Sequence, residues 1–193
     1  PRLGVDLAAS RQLIEEGQAL ADASGDRLAR IRLMMAYGWA LASAGELAVC
    51  LEKLEELLPI LDTIDVPALK LAAWGNFFMV NCLAARLQQA LAMVPQVRAL
   101  VATAEPAGKG IGSLNTAASL DQFEGYCWVW TGRLADGLAA YDLCIRQADV
   151  AGELAVFARC HAVEAHCHRR DPQQAQERAR QALQRFVQDK RAT

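Results

Sequence analysis

The strongest constraint on this chain is an internal repeat. Between Ile31 and Leu57 stand Gly38, Gly45, Cys50 and Leu54, and between Ala118 and Cys144 stand Gly125, Gly132, Gly137 and Tyr141. The offsets coincide: seven residues separate the glycines, five more lead to a small residue, and four more to a large one. The two segments lie 87 residues apart, which is two periods of about 43. Weaker copies occupy the other periods. One carries Trp74, then Ala85, Ala90 and Val94; the other carries Arg170 and Ala175, with Ala179 where a large residue is expected. A leading half-repeat runs from Gly4 through Ala9 and Leu13, so turns are expected at positions 4, 45, 85, 132 and 170.

Apolar residues recur at helical spacing and strand-like alternation is absent, so each period reads as a pair of helices. Nine helices are expected, roughly 5–23, 26–43, 46–61, 66–84, 87–104, 114–130, 133–149, 152–169 and 172–189. A glycine within the first helix of a pair lets the second approach closely. A glycine between the two supplies the left-handed backbone that ends the first. The small residue in the second helix receives a bulky neighbour. Since one pair cannot bury its own apolar face, the pairs must stack. Asp171-Pro172 is a good start for the last helix, the aspartate capping and the proline in the first turn. Pro95 falls inside the fifth and should kink or break it.

Trp74, Gly38 and Gly125, the turn glycines Gly45 and Gly132, the small residues Cys50, Ala90, Gly137 and Ala175, and Tyr141 together resemble the tetratricopeptide (TPR) pattern. The period is longer than the usual repeat of about 34 residues. Long repeats of this kind are similar to the helical regions of MalT-like regulators and of bacterial signalling ATPases and adenylate cyclases. The resemblance implies an all-α, right-handed solenoid of antiparallel helical hairpins. It would form one TPR-like domain over 1–193, with a half-repeat at 1–24 and repeats at 25–64, 65–104, 112–150 and 151–190. The start at Pro1, without a methionine, points to a piece of a longer protein.

In this architecture the first helix of each hairpin lines a concave groove. If positions 2, 5, 9, 12 and 13 of each repeat face inward, Arg32, Met35 and Trp39 line the first repeat, and Met79 and Cys82 the second. Gln122, Tyr126 and Trp130 line the third, and Phe157, Glu164 and His168 the fourth. The lysines and asparagines with which some relatives hold a peptide's terminal carboxylate are missing. An aromatic and methionine-rich wall suits an apolar peptide, a helix or a sister subunit. The resemblance therefore implies a non-catalytic interaction or scaffolding module of a cytoplasmic bacterial regulator, with a homodimer among its forms. The alternative is an effector-sensing region that takes an apolar small molecule and controls an attached ATPase, cyclase or DNA-binding domain. That reading expects a closed cavity near Met79, Tyr126 and Trp130. Packing of the same aromatics into a core is the plain competing account.

Composition narrows the classes further. A net charge of −2 argues against a dedicated nucleic-acid binder. No apolar run approaches the roughly 20 residues that cross a bilayer. Six cysteines without a C-x-x-C pair read as small buried thiols of a reducing compartment. Cys160, Glu164, Cys167 and His168 share one helical face and are competent metal ligands, but a site on one helix needs ligands from elsewhere, so no metal and no cofactor is expected. His161 and His166 are expected on other faces. No nucleophile–base–orienter set is visible, so no catalytic residue is assigned. "GKGIGS" in the loop 105–115 lacks both the spacing of a phosphate loop and a preceding strand. Glu55 and Glu56 read as surface charge beside Lys53. Arg178, Arg180, Arg185, Lys190 and Arg191 give the last helix a basic surface, offset by Glu177 and Asp189.

Overall fold

A computed structural model describes residues 6–104, 116–148 and 153–191. Among the described residues it contains nine α-helices and no strand: α1 Leu7–Ser24, α2 Arg27–Ala44, α3 Leu47–Asp62, α4 Pro67–Leu83, α5 Leu87–Thr103, α6 Thr116–Trp130, α7 Leu134–Ala148, α8 Glu153–His168 and α9 Pro172–Arg191. Each end falls within two residues of the sequence expectation. The half-repeat glycine Gly4 and the glycine-rich loop 105–115 lie outside the described residues.

The turns follow the repeat. Gly45 and Gly132 take φ of 86° and 87°, and Ala85 and Arg170, at the same repeat position, take 57°. Gly25 supplies a further left-handed turn that the repeat pattern did not mark. At Gly132 the amide of Arg133 donates to Trp128 O at 2.8 Å, and that of Gly132 to Val129 O at 3.0 Å. This paired bonding satisfies the carbonyls left over at a helix C-terminus. The same pair closes α2 at Gly45 and α8 at Arg170. Acidic caps open three helices: Asp6 accepts from Ala8 N and Ala9 N, Asp26 from Ala29 N, and Asp171 from Gln174 N. Pro95 lies inside α5 without breaking it, as Pro59 does in α3.

The chain gathers into two compact units, Pro1–Ala85 and Arg86–Thr193. In the first, α1 packs on α2, α2 on α3, and α3 on α4. Its core holds Ile31, Leu41, Leu51, Leu57 and Leu61, and Cys50 sits at its small-residue position with Sγ 3.1 Å from Gly38 O. In the second unit, α5 packs on α6, α6 on α7, α7 on α8 and α8 on α9, and α6 also reaches α8. Gly125 and Gly137 bring α6 and α7 into backbone contact. A Cβ at Gly137 would lie 3.0 Å from Gly125 O and 2.5 Å from Val129 Cγ2. No helix, among the described residues, is long and apolar enough to cross a membrane.

The thiols divide. Cys50, Cys82, Cys127 and Cys144 are buried, and burial pushes Cys50 and Cys144 up to about 11 and about 12. Cys160 and Cys167 are exposed, which corrects the expectation of six buried thiols. Both lie on α8, where a side of the helix stays open to solvent.

Candidate functional site

The second unit assembles aromatic side chains where α6 and α8 run beside each other. The Tyr126 and Trp130 rings, one turn apart on α6, have centroids 6.1 Å apart. From α8, His161 meets Tyr126 edge-on at 6.0 Å, and His168 meets Trp130 edge-on at 5.8 Å. Beneath them His161 stacks nearly parallel, at 5.9 Å, on Tyr141 of α7, which is 1% exposed. Burial, and then the Glu164 carboxylate close by, push the Tyr141 phenol well above its ordinary range. His161, expected on another face, thus joins α8 to this cluster together with His168. Its position three residues before Glu164 and seven before His168 is compatible with one helical face, which was the available signal.

Exposure sorts the expected residues. Trp130 is 51% and Phe157 56% exposed, and His168 is also exposed. Tyr126 and Glu164 are half-buried, whereas Gln122 is buried with no hydrogen-bond partner on Oε1. In the first unit Arg32 is exposed and Trp39 47% exposed, while Met35, Met79 and Cys82 are buried in helix packing. Trp130 and Phe157 are thus among the large apolar side chains that the fold leaves open to solvent, and Trp130 does so beside other rings.

Among the described side chains, Glu164 is the carboxylate beside the rings of the α6–α8 face. Glu164 Oε2 lies 3.7 Å from His161 Nδ1. Cys160, Glu164, Cys167 and His168 sit together on α8, yet no three His, Cys, Asp or Glu side chains converge to hold a metal ion among the described residues. His166 is buried, with no partner on Nδ1, and burial pushes its pKa below the ordinary histidine value.

A second polar assembly, which the repeat pattern did not mark, lies on the α5–α7 side of the same unit. Arg98 of α5 holds Asp121 Oδ1 at 2.8 Å and also bonds Glu124. Trp128 donates its indole N–H to Glu124 at 3.2 Å, and the Arg133 guanidinium lies 3.8 Å over the Trp128 ring. Arg98, Asp121, Glu124 and Trp128 border an open cleft of about 280 Å³. In the first unit a cleft of about 290 Å³ lies between α1, α2 and α3, near Arg11 and Tyr37. Neither cleft is lined by Met79, Tyr126 or Trp130.

No protein-family model matches the chain, and no curated protein matches it in sequence. Solved structures do match in fold. A protein of Podosopora anserina described as a kinesin light chain with nearly identical TPR-like repeats superposes with a TM-score of 0.71 at 14% identity, over 96% of this chain and 89% of that one. BtubC (BKLC) from P. vanneervenii gives 0.71 at 12% identity, over 92% and 70%. MamA protein gives 0.60 at 14% identity, over 95% and 96%. The fold is therefore all-α and of the TPR-like helical-repeat kind.

Proposed function

We propose that this chain is a non-catalytic protein-interaction module, and that the α6–α8 face of its second unit receives an apolar peptide, a helix or a sister subunit. The observation that carries this is the half exposure of Trp130 and Phe157 on a face where Tyr126, His161 and His168 hold neighbouring rings in place. A large aromatic fixed by its neighbours loses little side-chain entropy on binding, which is why such residues anchor interfaces. In the first unit Trp39, with Arg32 seven residues before it on α2, offers a smaller surface of the same kind. The fold supports the same reading, since helical-repeat proteins work by presenting extended side-chain surfaces. The setting we assign is a bacterial signalling or transcriptional regulator in the cytoplasm, on the strength of the long repeat period. The module contacts protein there, and neither nucleic acid nor membrane.

The test is selection of a randomised peptide library displayed on phage against the purified chain, with each selected peptide then titrated by fluorescence anisotropy. Trp130→Ala should weaken binding about 30-fold, the loss of about 2 kcal/mol that truncating an interface anchor brings. Circular dichroism would confirm that the variant stays folded. Selected peptides that bind Trp130→Ala and Phe157→Ala as tightly as the wild-type chain would refute the assignment. Light scattering after size-exclusion chromatography covers the sister-subunit form: a dimer that Trp130→Ala splits belongs to this face.

A further inference from the structure

Within the second unit, each other carboxylate whose side chain is described has a cationic partner or caps a helix. Asp121 and Glu124 are held by Arg98, Asp136 by Arg133 at 2.7 Å, Asp142 by Arg178 at 2.7 Å, and Glu177 by Arg180 at 3.8 Å. Asp171 caps α9. Glu164 differs: its contact, at 3.7 Å, is a histidine nitrogen and not an arginine or lysine, and its side chain is 40% exposed. It is also the carboxylate that lies among the exposed aromatics.

We infer that the α6–α8 face is built for a partner segment that sets a lysine or arginine beside apolar side chains, the cation reaching Glu164 across the Tyr126 and Trp130 rings. The inference rests on the interaction reading above and adds the partner's chemistry to it. Aromatic faces attract cations through the ring quadrupole, and arginine stacks on tryptophan most readily. A carboxylate next to those faces adds a directed acceptor for the guanidinium or ammonium hydrogens. The chain already builds this arrangement once for itself. On the α5–α7 side, Trp128 is bonded to Glu124, lies under the Arg133 guanidinium, and shares Glu124 with Arg98. On the α6–α8 face the rings and the carboxylate are present, and among the described residues no arginine or lysine pairs with Glu164. The complementary charge is therefore left for the partner to bring. An acidic segment would meet Glu164 with like charge, and a wholly apolar one would cover it without a bond.

The same peptide library decides this. Selection on the wild-type chain should enrich lysine or arginine next to leucine, phenylalanine or tryptophan, and selection on Glu164→Gln should enrich the basic residue less while keeping the apolar ones. For a selected peptide, replacing arginine by citrulline should weaken binding to the wild-type chain about fivefold or more and weaken binding to Glu164→Gln clearly less, since only the ring faces then remain to attract the cation. Enrichment of acidic or purely apolar peptides, or a basic preference that survives undiminished in Glu164→Gln, would overturn the inference while the face remains a binding surface. Absence of any peptide whose binding depends on Trp130 would overturn both.

Discussion

Gly38 and Gly125 hold the same place in the repeat, yet alanine should act on them with opposite sign. At Gly125 an added Cβ would lie 2.6 and 2.7 Å from Cε1 and Cδ1 of Tyr141, and 3.1 Å from Gly137 O. The Tyr141 ring cannot swing aside, because it is buried and stacked on His161. On the other side the obstacle is backbone. The methyl group must therefore push α6 and α7 apart, and overpacking of this kind costs about 1–3 kcal/mol. The better helix propensity of alanine returns about 1 kcal/mol, which leaves Gly125→Ala less stable by up to about 2 kcal/mol. At Gly38 the nearest atoms would be Cys50 Sγ and Leu54 Cδ2, both 3.6 Å away, which is ordinary contact. Nothing opposes the propensity gain, so Gly38→Ala should be more stable by up to about 1 kcal/mol. Urea unfolding followed by far-UV circular dichroism reads both variants on one scale, and each kcal/mol corresponds to about 2–4 °C in a thermal scan. A Gly125→Ala chain stabilised as much as Gly38→Ala, or a Gly38→Ala chain clearly less stable than wild type, would refute the claim that the two hairpins close by different packing.

Four further outcomes follow from the structure. Ala85 and Arg170 hold left-handed backbone that disfavours a side chain, so Ala85→Gly or Arg170→Gly should gain about 1 kcal/mol in the same unfolding assay. Arg98→Met leaves the buried Asp121 without its bond to α5 and should cost about 2 kcal/mol, most of it recovered in the double variant with Asp121→Asn, as a double-mutant cycle would read. Burial raises the pKa of Asp121, so its protonated form is favoured by folding. Its contribution is complete below the ordinary carboxylate range and is lost as pH rises through the raised value, and a pH series of unfolding free energies should flatten there in Asp121→Asn. Burial lowers the pKa of His166, so the sign reverses: stability should fall as pH drops through the ordinary histidine range, and His166→Leu should remove that fall.

The fold was legible because its determinants are local and periodic. Four of the turn positions read from glycine spacing, 45, 85, 132 and 170, each have positive φ, although two of them carry alanine and arginine. There the register of the neighbouring helices forces the backbone, and the repeat offset exposes a turn that residue type alone would hide. The break that Pro95 would impose does not occur. A proline in α5 removes one backbone donor, and the rest of the helix is held by packing through Ala90, Val94 and Val97.

The surface was less legible, because exposure depends on what packs across a helix and not on its own period. The pattern that placed Trp39, Trp130 and Phe157 on open faces placed Met35, Met79, Cys82 and Gln122 on equivalent positions, and these are buried. Residue size does not decide it: Leu83 is as exposed as Trp130 at the matching repeat position, while Phe78 is buried. The charge pattern separates the two sides of the second unit in the same way. Arginines consume the carboxylates that lock α5 to α6 and α7 to α9, through Arg98 and Arg178. A carboxylate beside exposed rings and outside those locks, such as Glu164, contributes no ion pair with an arginine or lysine to the packing of the helices. Its worth must therefore be measured in complex: Glu164→Gln should leave unfolding within about 0.5 kcal/mol of wild type, as expected for a surface site, while changing which peptides bind. A large loss of stability in Glu164→Gln would place the carboxylate in the structural framework, with His161 as its partner, and remove it from the binding face.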